Sequence, residues 1–101
     1  MTAVDEELSA AVVAYYSRGR KPFPSVDAEA AAACATTRSG PELVALVEAI
    51  IGDAERAPID WATTSLGDAG RLVSARALAA HPELSDHAAG TIGWAFTYFN
   101  R

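Results

Sequence analysis

The stretch Pro41–Ala57, PELVALVEAIIGDAERA, carries the clearest periodic pattern in the chain. On an α-helix, which turns by about 100° per residue, its apolar side chains form a stripe about 160° wide, against about 100° for an ordinary surface helix. The stripe contains Leu43, Val44, Leu46, Val47, Ile50, Ile51, Ala54 and Ala57. Because so wide a stripe touches at least two neighbours, we predict that Pro41–Ala57 is the central helix of a bundle.

Both ends of this central helix are marked in the sequence. Ser39 and Glu42 have the spacing of a capping box, and Pro41 lies in the first turn, where no N–H group is needed. Pro58 cannot continue a helix, so it predicts the end.

A first helix is predicted over about Ala3–Arg18. Thr2 and Asp5 have the spacing of a cap, and acidic residues fill the first turn, as the helix dipole prefers. Gly19 follows in the position typical of the residue just past a helix end.

A second helix is predicted over about Val26–Thr37, with Ser25 as its cap and Gly40 at its end. It is rich in alanine, so a neighbour can approach it closely. Its Cys34, the single cysteine of the chain, is most simply a small buried side chain.

Two more helices are predicted after the central one. One covers about Ser65–Ala80, and the last begins at Asp86, after a serine cap, and runs to the end of the chain. In the connection Pro58–Ser65, Ile59 and Trp61 are expected to fold back onto the bundle. The predicted apolar face of the fourth helix is Leu66, Ala69, Leu72, Val73, Ala77 and Ala80.

The length and composition indicate one globular domain, residues 1–101. Half of the residues are apolar, and no segment shows the period-2 alternation of a β-strand. The predicted fold class is therefore all-α, a compact single-domain bundle of about five helices.

The composition also limits the classes of function. A formal net charge of −5 argues against a protein that coats nucleic acid. No apolar run approaches the roughly 18 residues of a membrane span, and the acidic start MTAVDEEL lacks the layout of a signal peptide. A single cysteine cannot form an internal disulfide, so we expect a cytoplasmic protein with no membrane partner.

The last helix carries the strongest functional signal, because four of the eight aromatic residues lie in Trp94–Phe99. Trp94 and Tyr98 fall on the side opposite the predicted core face, beside His87 and Thr91. Since Trp and Tyr are enriched at interface hot spots, we predict a partner-binding surface of Trp94 and Tyr98 with Thr91 and His87 at its rim. The alternatives are a helix buried on both sides, or a Trp94 side chain that packs under the connection Pro58–Ser65. The predicted core face is Ala88, Ile92, Ala95, Phe96 and Phe99.

Two glycines within the last helix add to this interpretation. Glycine in a helix costs up to about 1 kcal/mol relative to alanine, so it needs a reason. Small residues at Gly90 and Gly93 would let another backbone come close.

Two sets of basic residues could contact an anion or an acidic partner. Arg18, Arg20 and Lys21 lie in the loop RGRKPFPS, where two prolines flank Phe23. Arg76 falls inside the apolar stripe of the fourth helix, and a buried arginine needs a carboxylate partner. For both sets the alternative is a purely structural role. The candidate partners of the arginine in the stripe are Asp27, Glu48 and Asp60.

Motifs for catalysis or metal binding are weak. The segment HPELSDH, residues 81–87, contains metal-ligand residue types, but Pro82 interrupts it and its two histidines lack helical i, i+4 spacing. Cys34 has no histidine nearby in sequence to activate it, and the acidic residues 5–7 carry no catalytic signal. We predict no metal, no cofactor and no enzyme activity.

The predicted function is a small cytoplasmic protein–protein interaction or regulatory module, such as an adaptor, a regulator or an immunity-type protein. It would act through an exposed helical surface, on another protein or as a homodimer, and its acidic surface would suit a basic partner. The alternative is a helix-turn-helix transcription regulator that uses the fourth and fifth helices. Nucleic acid is the less favoured partner, because Arg101 is the one arginine on the fifth helix and phosphate contacts need Lys and Arg.

Overall fold

The computed structural model describes residues 3–101, and in these residues the chain forms five α-helices and no β-strand. The predicted all-α bundle is confirmed. No helix in the described part is both long enough and apolar enough to cross a membrane. The helices are α1 (Glu6–Tyr15), α2 (Ala28–Ala32), α3 (Gly40–Ala54), α4 (Leu66–Ala80) and α5 (Asp86–Phe99).

The central position predicted for α3 is confirmed, because this helix packs against α1, α2 and α4. The side chains of Leu43, Val47 and Ile50 are at most 1% exposed, and Ala54 closes the stripe at the far end of the helix. Full burial of an aliphatic side chain of this size contributes about 1.5–3 kcal/mol, so the wide stripe supplies a large part of the core.

Serine caps begin the three long helices, as the sequence predicts. The distance from the serine Oγ to the backbone N three residues later is 3.2 Å at Ser39, 3.1 Å at Ser65 and 3.0 Å at Ser85. Each hydroxyl thereby satisfies one backbone donor that the first turn of its helix leaves free.

The end of α3 lies three residues before the predicted position. The helix stops at Ala54, and Ala57 and Pro58 lie in the connection that follows. The cause is local tightening, since Arg56 N donates to Asp53 O at 3.1 Å in a three-residue bond rather than a four-residue one.

The first helix is shorter at both ends than predicted. Its cap is Asp5, whose Oδ1 accepts a hydrogen bond from Leu8 N at 3.0 Å, while the predicted cap Thr2 lies outside the described residues. The helix ends at Tyr15, because Ser17 adopts a left-handed backbone with φ of 61°. Gly19, with φ of 88°, belongs to the turn beyond.

The second helix covers only Ala28–Ala32, so the predicted span Val26–Thr37 was wrong. Asp27, not Ser25, is its cap, with Oδ1 2.9 Å from Ala30 N. The predicted terminator Gly40 is instead the first residue of α3.

Three-residue hydrogen bonds from Cys34 N and Ala35 N end α2, and a single carboxylate binds the segment that follows. Glu7 in α1 accepts hydrogen bonds from the backbone N–H groups of residues 36–38 and from the hydroxyls of Thr36 and Thr37. Arg38 forms ion pairs with Glu7 and with Asp5, and its Nη2 lies 2.7 Å from Asp5 Oδ2. Because the N–H groups of 36–38 bind this carboxylate, they are not available to carbonyl groups of α2.

The helices α4 and α5 form an antiparallel pair whose backbones touch. A Cβ atom at Gly93 would collide with the carbonyl oxygen of Gly70 and with Ser74 Oγ. A Cβ atom at Gly70 would lie 3.1 Å from the carbonyl oxygen of Gly93 and 2.5 Å from Thr97 Cγ2. The close backbone predicted near Gly93 is therefore that of α4 in the same chain.

This contact also sets which face of α4 is buried. Leu72 was predicted in the apolar face, but it is 48% exposed, and Ala80 is exposed as well. Because α4 contacts α5 through Gly70, the buried face of α4 is the side that carries Gly70, Val73 and Ala77. Leu72 lies outside that face, so its side chain points outward. The buried residues of α4 are Ala69, Gly70, Val73 and Ala77.

The connection between α3 and α4 folds back onto the bundle, as predicted. Ile59 is half-buried against the core. The ring of Trp61 stacks on that of Phe96 in α5, with ring centroids 6.2 Å apart and 9° between the planes. Trp61 covers the edge of the core while remaining 51% exposed itself.

Candidate functional site

The outward side of α5 carries Trp94 and Tyr98, the two aromatic residues predicted to bind a partner. They lie one helical turn apart and face the same side. Both are half-buried rather than fully exposed, and Trp94 packs against the edge of the core. The loop between α1 and α2 supplies the atoms that partly cover them.

Arg18 is the first residue of this loop to contact α5. Its guanidinium carbon lies 5.5 Å from the centroid of the Trp94 ring, a cation–π contact. Its Nη1 donates to Thr91 Oγ1 at 2.9 Å and to the carbonyl oxygen of His87 at 3.4 Å. Arg18 therefore fixes the loop against the same side of α5 that carries Trp94.

The structure places Thr91 inside the protein, so its prediction as a rim residue was wrong. Its side chain is fully buried, and its hydroxyl donates to the carbonyl oxygen of His87 at 2.8 Å while it accepts from Arg18. Burial follows from the arginine that lies over it, which the helical wheel could not show. His87 is exposed, as predicted, and lines a separate cavity between α1 and α5.

Tyr98 stands in a row of aromatic rings that reaches from the loop to α1. Its ring stacks on Phe23 with centroids 6.2 Å apart, and it meets Phe99 edge to face at 5.5 Å. The Phe99 ring lies 6.2 Å from that of Tyr16. Tyr16 is buried and donates to Glu55 Oε1 at 3.3 Å, and its burial raises the pKa of the hydroxyl, which stays protonated.

The exposed members of this row are Phe23 and Phe99, at 45% and 53%. Phe99 was predicted on the core face of α5, and that prediction was wrong. Phe99 lies in the last turn of α5. Apart from Tyr98, its one ring neighbour is Tyr16, the residue that follows α1, so much of the Phe99 ring faces outward.

A shallow cavity of about 340 Å³ lies beside Tyr98. A second cavity of about 390 Å³, between α4 and α5, shares Trp94 and Thr97 with it, so the two adjoin. Neither is lined by an Asp or Glu side chain. The first cavity is lined by Pro22, Leu66, Trp94, Thr97, Tyr98 and Arg101.

Two of the basic residues without a carboxylate partner lie here. Of the eight Lys and Arg residues, four pair with carboxylates in the structure, namely Arg20, Arg38, Arg71 and Arg76. Across residues 3–101 the remaining four make no such pair, and two of them, Arg18 and Arg101, lie over the rings of Trp94 and Tyr98. The guanidinium carbon of Arg101 lies 4.1 Å from the Tyr98 centroid.

We call this region the basic aromatic surface. It is defined by four aromatic residues and two cations, Phe23, Trp94, Tyr98, Phe99, Arg18 and Arg101. The sequence predicted Trp94 and Tyr98 within it, and Arg18 was predicted separately as a possible contact of an anion or an acidic partner. Phe99 and Arg101 were not identified as members.

The four predicted anion contacts do not form one site. Arg20 bonds the carbonyl oxygen of Ala14 at 3.2 Å and Asp27 at 3.4 Å. Lys21 Nζ donates to Ser25 Oγ at 3.3 Å. The Ala30 N–H and the nearby Arg20 lower the pKa of Asp27, so this pair is ionised at neutral pH.

Arg76 lies away from the loop, in α4 beside the end of α3. Its Nε donates to the carbonyl oxygen of Asp53 at 2.9 Å, and its Nη2 lies 3.3 Å from Asp53 Oδ1. None of the three proposed partners was correct, because α4 packs against the end of α3, where Asp53 lies.

The residues considered for metal or thiol chemistry stay apart. His81 Nδ1 lies 3.2 Å from Glu83 Oε1 within the α4–α5 turn. Among residues 3–101 no group of three or more His, Cys, Asp or Glu side chains could hold a metal ion. Cys34 is half-buried rather than buried, with Sγ 3.5 Å from the carbonyl oxygen of Ala30.

Comparison with known proteins adds no relative: no family model matches the chain, and neither a curated protein nor a solved structure matches it significantly.

The contribution of Trp94 to folding is expected to be moderate. Trp94→Ala should lower the free energy of unfolding by about 1–2 kcal/mol, because the ring is half-buried, against the ~3–5 kcal/mol typical of a core aromatic. Phe96→Ala, which removes a buried ring of α5, is the matched comparison. Urea denaturation measures both, and an equal loss for the two variants would mean that Trp94 is a core residue.

Proposed function

We propose that the protein is a small protein–protein interaction module and that the basic aromatic surface is its binding site. The observation that carries this proposal is the exposure of Phe23 and Phe99 in contact with Tyr98. Isolated exposed apolar side chains are ordinary, whereas a contiguous group rimmed by polar residues marks an interaction site. Trp, Tyr and Arg are also the residue types enriched among binding hot spots.

The anchoring of this surface supports the same proposal. Arg18 holds the loop on α5 through Thr91 and Trp94, so the aromatic side chains are ordered before a partner arrives. Binding then costs less side-chain entropy than it would for free loops. A lone cysteine suits a reducing compartment, and we propose the cytoplasm as the location of this regulator or adaptor.

The helix-turn-helix regulator stays a prediction, but the packing of α4 and α5 favours the interaction module. DNA-binding helix pairs cross at about 90–120°. Here Ser74 of α4 packs against Gly93 of α5, and Thr97 of α5 packs against Gly70 of α4, so the two helices run antiparallel alongside each other. Such a pair does not project its second helix outward into a groove of DNA.

Photocrosslinking at the proposed site tests the module directly. Phe99 is replaced by p-benzoylphenylalanine in cells that produce the protein, and the control carries the same group at Ala49, an exposed position of α3. We expect a discrete covalent adduct from position 99 and none from position 49, measured by gel mobility and mass spectrometry.

The pattern of adducts decides the outcome. No adduct at either position, or the same adducts at both, would reject the basic aromatic surface as a binding site. An adduct of twice the mass of the protein would support the module and identify its partner as a second copy.

A further inference from the structure

We propose that the partner of the basic aromatic surface is an acidic peptide segment that carries an aromatic or aliphatic side chain. This inference rests on the proposed function and adds the chemistry of the partner to it. The sequence left both charges open, because a net charge of −5 suits a basic partner while Arg18 was predicted as a possible contact of an acidic one. The distribution of charge in the structure favours the acidic partner for this one surface.

The net charge of the basic aromatic surface depends on which cations are neutralised by a carboxylate. Elsewhere in the described chain, Arg38, Arg71 and Arg76 each lie within 4 Å of a carboxylate. Around the basic aromatic surface, Arg18 and Arg101 instead lie over aromatic rings. A guanidinium over a ring keeps its full positive charge, so this surface is basic in an otherwise acidic protein.

The cavity beside Tyr98 carries a positive charge from Arg101, and its lining includes no acidic side chain. The adjoining cavity between α4 and α5 adds no net charge, because Arg71 in its lining is paired with Asp68. Pro22, Leu66 and Trp94 in the lining of the cavity beside Tyr98 offer contacts for a single apolar side chain of the partner. A carboxylate next to that anchor would meet Arg101.

The size of the surface fits a short segment. From Gly90 to Phe99, the last residue of α5, the helix rises by about 14 Å, at roughly 1.5 Å per residue. That length corresponds to about four residues of an extended peptide. The acidic segment therefore needs only one apolar anchor and a few flanking carboxylates.

A second copy of this chain fits the surface less well. A two-fold dimer through this face would pack the same basic surface of each copy against the other, so both sides of the interface would carry positive charge. Like charges facing each other across an interface cost several kcal/mol unless they are paired. The charge distribution thus favours an acidic partner over self-association.

Nucleic acid is the other polyanion to consider. Single strands bind to aromatic rings that offer free faces for base stacking. The Tyr98 ring already contacts Phe23 and Arg101, and the Trp94 ring contacts Arg18. Two cations in a protein of net charge −5 give little attraction for a phosphate backbone.

Fluorescence anisotropy with three labelled probes tests this inference on the full chain. The first is a peptide of about eight residues, long enough to follow α5 in an extended form, made of Asp and Glu around one Phe. The second replaces every acidic residue by Lys, and the third is oligothymidine of similar length. We expect the acidic peptide to bind most tightly and its affinity to fall as salt is raised.

Charge reversal locates the binding. Arg101→Glu is expected to weaken the acidic peptide about tenfold, since an attractive contact becomes a repulsive one. The matched control is Arg56→Glu, which makes the same charge change at an unpaired arginine at the end of α3. Circular dichroism of both variants checks that the fold is kept.

Three results would overturn the inference: the Lys peptide binding as tightly as the acidic one, oligothymidine binding more tightly, or equal losses in the two arginine variants. These failures are separable from failure of the proposed function. An adduct at position 99 together with no preference for the acidic peptide would leave the interaction module in place and refute only the chemistry of its partner.

Discussion

Gly93→Ala is expected to lower the free energy of unfolding by about 3 kcal/mol, at the upper end of the usual cost of overpacking a core. The added methyl group would meet the carbonyl oxygen of Gly70 and Ser74 Oγ at distances that Cβ atoms do not tolerate. One obstacle is backbone, so α4 and α5 must separate along their length. Alanine's better helix propensity returns up to about 1 kcal/mol and does not offset this.

Thermal denaturation measures the effect as a fall in melting temperature of roughly 15 °C for a domain of this size. The matched control is Gly90→Ala, one turn earlier in α5, where the nearest atom to a new Cβ is Arg18 Nη1 at 3.6 Å. That contact is ordinary, so the control is expected to be neutral or more stable by up to about 1 kcal/mol. If both variants melted alike, α4 and α5 would not touch at Gly93.

The helices were predictable where the signal is local. Ser39, Ser65 and Ser85 each lie three residues before a first-turn backbone N–H, and all three begin helices where the sequence predicted. The wide stripe of α3 identified the central helix because each apolar side chain there needs a neighbour. Both signals depend only on residues within a few positions of one another.

The prediction for the second helix was wrong because a distant residue binds the backbone of the segment that follows α2. The alanine-rich sequence 26–37 favours a helix throughout. Glu7, about thirty positions earlier, takes the N–H groups that such a helix would use, and no local pattern reveals this. The same reasoning applies to Arg76, whose partner Asp53 depends on how α4 meets α3.

The candidate site was predictable in part for the same reason. Helical periodicity placed Trp94 and Tyr98 on one side of α5, and both belong to the basic aromatic surface. Phe23 reaches Tyr98 only through the fold of the loop. Arg101 had a local signal, since it follows Tyr98 by three residues and side chains at that spacing are neighbours on a helix.

Glu7→Gln is expected to lower the melting temperature at neutral pH by on the order of 10 °C. The carboxylate accepts from three consecutive backbone N–H groups and two hydroxyls, and it pairs with Arg38. A glutamine side chain has one acceptor oxygen, and its NH₂ group would face donors. The variant therefore leaves donors of residues 36–38 without partners and loosens the connection between α1, α2 and α3. Glu6→Gln, the neighbouring exposed carboxylate, is the matched control and is expected to change little.

The pH dependence of this effect has a definite sign. Backbone donors from residues 36 and 37 hold the pKa of Glu7 well below its usual value of about 4.3, and Arg38 lowers the pKa of Asp5. A carboxyl with a depressed pKa in the folded state stabilises the protein above its unfolded pKa and loses that contribution as pH falls towards the folded pKa. The difference in melting temperature between the wild-type protein and Glu7→Gln should thus be largest near neutral pH and shrink below about pH 4. If this difference in melting temperature stayed constant from pH 7 to pH 3, the charge of Glu7 would not stabilise the connection. The hydrogen-bond geometry at residues 36–38 would then account for the effect of the substitution by itself.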